Sequence, residues 1–424
     1  MKVKRRDFIN ISALAAGSVV AGISACNTNE KSTASTNGST DLKSMTGDVV
    51  PITLEERKSR IAKAQQLLAE QKIEALILDS GTSLAYFTVI HWWPSERTMV
   101  AIIPVKGDPF YVCPGFEESR LRELITIGKN VYPWQEDESP YHQIVVALKD
   151  AGISSGNIAM EERLRFFVFD GVRQDAPQFN FVSGTPITMP CRMFKSKTEL
   201  ALMQKANDIT VAGIKHGISQ LHEGMTQGEL SSIIADAQGK LGGSSGDALV
   251  LFGESSAFPH GSIKPKTLKK GDIVLMDCGC QVQGYTSDIT RTIVFGEPTK
   301  RQLDIWNLEK QAQTAGFNAA KIGTACEEVD AAARKVITDA GFGPGYKLPG
   351  LPHRTGHGIG MDGHEWGNMV KGNKQLIQPG MCFSVEPTIS IPGEFGIRLE
   401  DCAYITEDGA KWFSPVAKSI SEPF

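Results

Sequence analysis

Three of the chain's eight histidines lie within one stretch of fifteen residues, LPHRTGHGIGMDGHE. They are His353, His357 and His364, and four glycines lie among them. Each glycine would cost a helix interior about 1 kcal/mol, and a flexible linker has no need of imidazoles. Imidazoles bind metal ions and substrates, and glycines permit a close approach of the backbone. The stretch therefore predicts a segment that contacts a metal ion, a substrate or both.

Two aspartates form a second candidate site in LMDCGCQVQGYTSDITRT. Asp277 and Asp288 lie on two predicted strands, joined by a loop that contains Gly284. With that loop centred between Val282 and Gln283, the aspartates would lie opposite each other and direct their carboxylates to one face. A divalent metal would relieve the repulsion between them. Taken alone, the pair could equally be two surface aspartates in a loop.

Two further carboxylates favour the metal interpretation. Glu386 lies in SVEPT and Glu400 in IRLED, both within apolar segments. Carboxylates are depleted in strands and costly to bury without a partner. With Asp277, Asp288 and one imidazole they could hold two divalent ions, whose charges would balance the four carboxylates. A hydroxide that bridges two such ions would remain deprotonated near neutral pH.

These residues resemble the metallopeptidase family that includes aminopeptidase P, prolidase, creatinase and methionine aminopeptidase. The catalytic domain of that family has the pita-bread fold. The resemblance covers nearly everything after about residue 54, and five motifs in fitting order carry it. They are PHG at 259–261, MDCGCQVQGYTSDITRT at 276–292, HRTGHGIGMDGHE at 353–365, SVEP at 384–387 and IRLED at 397–401. One of these motifs alone would be a weak signal, but the ordered set is specific.

The resemblance implies a metal-binding role for five residues. Asp277 would bind one metal ion, and Asp288 and Glu400 would bridge both ions. His357 and Glu386 would complete the second site. Mn²⁺ is the expected metal, with Zn²⁺ and Co²⁺ as alternatives.

The resemblance also implies catalytic and substrate-binding residues. His260 and His364 would be catalytic, His364 by stabilising the developing oxyanion with the metals. Glu386 would pass the proton of the attacking water to the leaving prolyl nitrogen. His353 and Arg398 are assigned to substrate binding, and Arg398 also matches an arginine that supports the bridging glutamate.

The function that this resemblance implies is release of the N-terminal residue from Xaa-Pro peptides by attack of a metal-bridging hydroxide. Proline-containing peptides are the expected partners. An Xaa-Pro dipeptidase (prolidase) is the alternative enzyme, and a non-enzymatic peptide-binding module of the same fold is a further alternative. The presence of an N-terminal domain distinguishes the chain from methionine aminopeptidase, and the full ligand set distinguishes it from creatinase.

Helical and strand patterns from about Leu54 onward predict the elements that position these residues. Residues 54–190 are expected to form an α/β domain like that of creatinase and aminopeptidase P. Residues 191–424 begin with a long amphipathic helix and are expected to form the α+β pita-bread domain. The aromatic segment IHWWPSER at 90–97 suggests either local packing or a homodimer contact.

The N-terminal residues predict export. Arg5 and Arg6 precede a short apolar run and resemble a twin-arginine signal. The sequence ISAC that ends at Cys26 resembles a lipobox, with a plain cleaved signal as the alternative. Residues 1–26 are therefore predicted to be an export signal that leaves a lipid-anchored protein in the periplasm or cell envelope. Residues 27–53 are predicted to be a disordered tether.

Composition sets further limits. A formal net charge of −4 suggests no role in binding nucleic acid. No apolar stretch is long enough to span a bilayer, so the lipid anchor is the only expected membrane contact. The cysteines form no CxxC pattern and do not predict a disulfide scaffold. Cys278, Cys280 and Cys402 are expected to be packing residues, with a redox-sensitive site as the alternative.

Overall fold

The computed structural model describes residues 42–264 and 266–424. Cys26, the remainder of the predicted export signal and residues 27–41 lie outside the described residues. The prediction of a disordered tether is wrong for residues 42–53, which pack against the C-terminal half. The amide of Met45 donates to the carbonyl of Leu241 at 2.8 Å. The segment is ordered because apolar side chains recur along it and join one core cluster, namely Leu42, Met45, Val49 and Ile52.

Six strands form the sheet of the N-terminal domain. They are β1 Ala75–Asp79, β2 Val100–Pro104, β3 Phe110–Pro114, β4 Val131–Trp134, β5 Gly156–Met160 and β6 Phe179–Ser183. Their order in the sheet is β4-β3-β2-β1-β5-β6. The pairs β1–β2 and β2–β3 are antiparallel, and the others are parallel. Strands β1, β2 and β3 are buried throughout, in keeping with their continuous apolar sequences.

Six helices accompany this sheet. They are α1 Leu54–Glu70, α2 Thr82–Thr88, α3 Glu118–Leu124, α4 Pro140–Asp150, α5 Phe166–Asp175 and α6 Thr185–Arg192. Thr53 is the N-cap of helix α1, and its side chain accepts a hydrogen bond from the amide of Glu56. Helix α2 is absent from the sequence prediction because it is buried on almost every side. It therefore lacks the amphipathic period that reveals a surface helix.

Four α-helices and eleven strands are found among the described residues of the C-terminal domain. The helices are α7 Lys197–Ser219, α8 Gln227–Lys240, α9 Lys300–Ala319 and α10 Cys326–Asp339. The first strands are β7 Ser244–Phe252, β8 Ile273–Val282, β9 Tyr285–Thr286, β10 Ile289–Val294, β11 Gly356–Gly358 and β12 Glu365–Met369. The others are β13 Cys382–Val385, β14 Thr388–Ile391, β15 Phe395–Arg398, β16 Asp401–Thr406 and β17 Gly409–Trp412.

Antiparallel pairing organises these strands into two sheets and a hairpin. One sheet has the order β10-β8-β7, with β9 beside β8, and the other has the order β12-β11-β13-β16-β17. Strands β14 and β15 form the hairpin. Thr290 and Glu400 exchange backbone hydrogen bonds of 3.2 and 3.1 Å, which join β10 to the segment that leads into β16. The predicted carboxylates meet at this junction.

Among the described helices, none has the combination of length and apolar character needed to cross a bilayer.

Candidate metal centre

The β8–β10 segment carries the two aspartates on one face, but their predicted register is wrong. Val282 pairs with Tyr285, so the turn is centred between Gln283 and Gly284. Both turn residues have positive φ values, 51° and 82°, as a tight hairpin turn requires. Asp277 consequently faces Thr290 rather than Asp288.

Asp288 lies just before β10, whose first pair is Ile289 with Cys278. Moving the turn by one residue changes the pairing by two residues. An even shift returns a side chain to the same face of a strand, so the carboxylates still share a face.

The opposite wall of the site comes from the second sheet and the hairpin. His357 lies on β11, and Glu386 follows β13 directly. Arg398 ends β15, and Glu400 lies between β15 and β16. The glycines beside His357 permit close packing of strands: a Cβ on Gly358 would collide with the Trp366 carbonyl and one on Gly356 with the Ser384 carbonyl.

The imidazole of His357 lies at the centre of three carboxylates. Its Nε2 is 3.2 Å from Oε1 of Glu386, 3.7 Å from Oδ2 of Asp288 and 4.0 Å from Oε1 of Glu400. Three potential ligand atoms lie within 4.8 Å of one another, one each from Asp288, His357 and Glu400. The structure therefore brings these predicted ligands together.

Asp277 has a different environment. Its Oδ2 accepts a short hydrogen bond from Nη2 of Arg398. Arg398 also donates from Nε to Oγ1 of Thr290 at 3.0 Å, and its Nε lies 4.0 Å from Oε2 of Glu400. Arg398 was assigned to substrate binding, and it lines the cavity. Its guanidinium nevertheless contacts predicted ligands, as the supporting role requires.

The protonation energetics of the site suit divalent cations. Oε1 of Glu400 is buried and has no hydrogen-bond partner among the described residues, whereas Oε2 accepts from Thr290 at 2.7 Å. Burial, followed by the charges of Asp288 and Glu386, raises the pKa of Glu400 well above its ordinary value. Burial and the charge of Asp277 do the same to the pKa of Asp288. Divalent ions would stabilise both carboxylates, and an oxygen-rich donor set with one imidazole suits such ions.

Glu386 and His357 form a coupled pair. Burial acts to raise the pKa of Glu386, but the hydrogen bond and charge of His357 outweigh it and lower that pKa to about 2. Burial acts to lower the pKa of His357, but Glu386 outweighs it and raises that pKa. Oγ of Ser384 also donates to Glu386 at 3.2 Å. The lowered pKa favours the carboxylate form of Glu386 at neutral pH, in which it is available as a ligand and a proton acceptor.

A cavity of about 630 Å³ opens above these ligands. All the predicted site residues among the described residues contribute to its lining: His260, Asp277, Asp288, His353, His357, His364, Glu386, Arg398 and Glu400. His260 is exposed and lies two residues after the half-exposed Phe258.

Two of the predicted substrate-side imidazoles have defined partners. The ring of His364 stacks on that of His357, with centroids 3.8 Å apart. Nδ1 of His364 lies 2.9 Å from Nη2 of Arg354. Since arginine can only donate, Nδ1 accepts and the neutral ring carries its proton on Nε2. Burial and the charges of His357 and Arg354 lower the pKa of His364 to about 4. Both ring nitrogens of His353 bond to protein, to the Arg354 carbonyl at 2.7 Å and to Thr388 Oγ1 at 3.0 Å.

Sequence reasoning missed Glu365, which directly follows His364. Its carboxylate accepts hydrogen bonds from Arg192 at 2.7 Å and Lys195 at 2.9 Å, and also from the amide of Met361 at 3.0 Å. Burial acts to raise the pKa of Glu365, but the charges of Lys195 and Arg192 lower it to about 2. These bonds connect the loop that carries His364 to the end of the N-terminal domain. The pattern that identified Glu386 did not apply here, because Glu365 begins the partly polar strand β12 rather than lying within an apolar segment.

The three cysteines near the ligands are buried free thiols. Burial raises the pKa of Cys278, Cys280 and Cys402 above the ordinary thiol value. A buried thiol that stays protonated is a poor nucleophile. This favours the packing interpretation over a redox-sensitive site.

Comparisons with known proteins agree with this geometry. Residues 201–407 match the model of metallopeptidase family M24, and residues 60–194 match the creatinase/prolidase N-terminal domain. An Xaa-Pro dipeptidase from Lactobacillus delbrueckii subsp. lactis is 32% identical over 363 residues, covering 84% of this chain and 97% of that protein. The putative dipeptidase YkvY of Bacillus subtilis (strain 168) is 34% identical, covering 85% and 99%. The crystal structure of a prolidase from Thermococcus sibiricus superposes with a TM-score of 0.77 at 28% identity, covering 85% of this chain and 97% of that one.

Proposed function

This chain belongs to metallopeptidase family M24, and we propose that it is a metal-dependent dipeptidase that hydrolyses Xaa-Pro dipeptides. The family and the pita-bread fold predicted from the motifs are confirmed, as is the hydrolase class. The observation that carries the proposal is the cavity, which four carboxylates line together with His357 and with His364, whose ring stacks on that of His357.

The finer expectation of an aminopeptidase is not confirmed. The two relatives described above are named as dipeptidases and are aligned over almost their full lengths. They support the alternative that the resemblance implied, an Xaa-Pro dipeptidase, over release of the first residue from longer peptides.

The cofactor we propose is a pair of divalent ions, held by Asp277, Asp288, His357, Glu386 and Glu400. The donor set is rich in oxygen, which favours Mn²⁺, with Zn²⁺ and Co²⁺ as alternatives. Arg398 bonds to Asp277 through Oδ2, which leaves Oδ1 for an ion. When bound, such ions supply Lewis acidity toward the scissile carbonyl and the attacking water.

The protein's own groups perform the proton transfers. Glu386, a carboxylate at neutral pH, accepts the proton of the attacking water as the new C–O bond forms. His364 donates a hydrogen bond from Nε2 to the carbonyl oxygen, where negative charge develops. The amide nitrogen of an Xaa-Pro bond has no hydrogen, so Glu386 returns its proton to that nitrogen as the C–N bond breaks. His260, which also lines the cavity, is proposed to contact the substrate.

The test is a peptide series with metal-loaded protein: Xaa-Pro, Xaa-Pro-Xaa and Xaa-Ala. The proposal predicts cleavage of Xaa-Pro, with little cleavage of the other two. Comparable release of the first residue from the tripeptide would support an aminopeptidase instead. Comparable cleavage of Xaa-Ala would contradict the proposed preference for proline. Failure to cleave any peptide would favour the binding module.

The location of the protein is a separate proposal, which rests on the sequence of residues 1–26. We propose export, with lipidation of Cys26 in the periplasm or cell envelope. Mass spectrometry of the membrane fraction should find an acylated N-terminal cysteine, and a mature protein that retains Met1 would contradict this. A homodimer contact near Trp93, whose side chain is 86% exposed, stays a prediction.

A further inference from the structure

The loop that carries His364 lies outside the strands of its sheet. Strand β11 ends at Gly358 and β12 begins at Glu365, so residues 359–364 belong to neither strand. The ring of His364 stacks on that of His357 with centroids 3.8 Å apart, but a ring contact alone does not fix the backbone that carries the ring. Side chains of the N-terminal domain supply the additional contacts.

Asp362, two residues before His364, accepts hydrogen bonds from three parts of the N-terminal domain. Its Oδ1 accepts from Oγ1 of Thr82 at 2.7 Å, and its Oδ2 accepts from Nη2 of Arg192 at 2.6 Å. Nη1 of Arg163 lies 2.9 Å from the same Oδ2. Thr82 begins α2, Arg192 ends α6, and Arg163 lies between β5 and α5. Three separate segments therefore converge on this loop.

Arg163 also contacts His364 itself. Its Nη2 donates to the backbone carbonyl of His364 at 3.3 Å, while its Nη1 faces Asp362. One planar guanidinium thus joins two positions of the loop through donors in a fixed fork. Arg163 does not line the cavity above the metal ligands. Any effect on the reaction would therefore pass through the position of His364 and not through a contact with substrate in that cavity.

We propose that Arg163 is a positioning residue, through which the N-terminal domain holds His364 where its Nε2 meets the developing oxyanion. This inference rests on the proposed function, because it assumes the role of His364 given there. Preorganised donors act only when they are aimed at the position where charge develops, and a small misplacement of a catalytic group lowers the rate.

The test is Arg163→Gln in the metal-loaded protein, assayed with Ala-Pro. We expect kcat to fall about 5- to 10-fold, the effect of one weakened hydrogen bond in the transition state. KM and metal content should stay unchanged, because neither substrate nor ligands contact Arg163. The urea midpoint should also stay unchanged, since the side chain is 54% exposed and solvent screens its ion pair. Arg163→Lys keeps the charge but not the fork, so its kcat should lie between the two.

Arg173→Gln is the matched control. Arg173 lies in α5 of the same domain, is 56% exposed and pairs with Asp170 at 2.8 Å. It therefore resembles Arg163 in exposure and in its acidic partner, but Asp170 does not belong to the His364 loop. This variant should keep the kcat and KM of the wild type. An unchanged kcat in Arg163→Gln, an equal loss in Arg173→Gln, or a change in KM alone would overturn the inference.

A measurement without turnover separates this inference from the proposed function. Hydrogen exchange followed by mass spectrometry reports on the amides of residues 359–365 in the resting protein. Exchange should be faster in Arg163→Gln than in the wild type, and unchanged in Arg173→Gln. If the wild type cleaved no peptide, the proposed function would fail, but faster exchange in Arg163→Gln would still support the positioning of the loop by Arg163. Unchanged exchange in Arg163→Gln would refute that positioning even in an active enzyme.

Discussion

The floor of the cavity and the loop that carries His364 both contain buried carboxylates, but the partners of these carboxylates differ. Glu365 is paired with Arg192 and Lys195, which hold it as an anion. Glu400 has one oxygen without a hydrogen bond, and its nearest cation, Arg398, is 4.0 Å away. Burial of an acid therefore does not identify a metal ligand. The distinguishing feature is a group of acids whose charge the protein leaves uncompensated.

The strongest test of this comparison is Asp288→Asn. The substitution removes the charge of a carboxylate proposed to bridge the two ions but keeps the size and shape of the side chain. We expect loss of most of the bound metal and a fall in kcat of about a thousandfold or more, since the ions supply most of the stabilisation of transition-state charge. Metal content by plasma mass spectrometry and kcat at saturating Mn²⁺ are the measurements. His364→Ala is the control and should retain the metal while losing turnover. Normal turnover of fully loaded Asp288→Asn would show that Asp288 does not bridge the ions.

Glu365→Gln tests the other half of the comparison. The substitution leaves Arg192 and Lys195 buried with less negative charge, so the free energy of unfolding should fall by about 3–5 kcal/mol. Urea denaturation measures this change. Metal content at saturating Mn²⁺ should remain normal, because Glu365 is not a proposed ligand. Loss of metal from a folded Glu365→Gln protein would mean that the two kinds of carboxylate are not distinct.

Glu161, a buried carboxylate in the N-terminal domain, is intermediate between Glu365 and Glu400 in how far its charge is compensated. Burial, followed by the neighbouring Glu162, raises the pKa of Glu161 to about 7, against a lowering by Ser83. The unfolded chain ionises this group near its ordinary pKa, so the native state loses stability as pH rises from about 4.5 to 7. Glu161→Gln removes that penalty and should gain up to about 3 kcal/mol relative to wild type between pH 4.5 and 8. Urea midpoints of both proteins at the two pH values measure the gain, and a pH-independent difference would contradict it.

The smallest effect is expected at an exposed pair. Arg301 and Glu394 are 3.1 Å apart, with half-exposed side chains. Solvent screens such a pair, so Glu394→Gln should change the free energy of unfolding by less than about 1 kcal/mol. Urea denaturation in parallel with Glu365→Gln makes the comparison direct. A loss as large as that of Glu365→Gln would show that burial is not the deciding factor.

Local patterns were sufficient to predict much of the molecule. Alternation and apolar periodicity identified the N-terminal α/β domain, including the β2–β3 hairpin around Gly107-Asp108. Helix α2 and the packed segment 42–53 were missed, the first because it is buried on almost every side and the second because its polar residues masked its apolar ones. In both cases the deciding contacts are to residues distant in the chain.

For the site, the sequence by itself determined the chemical inventory: four carboxylates, the imidazoles and the glycines beside His357. It also determined that Asp277 and Asp288 share a face, because strand alternation survives a shift of two residues. The tertiary structure alone decided which acidic side chain pairs with which basic one. Arg192 reaches Glu365 across 173 positions of chain, Arg398 pairs with Asp277, and Arg354 keeps no acidic partner among the described residues. The physical reason is that Coulomb and desolvation energies depend on distance in space and on burial, and separation along the sequence determines neither.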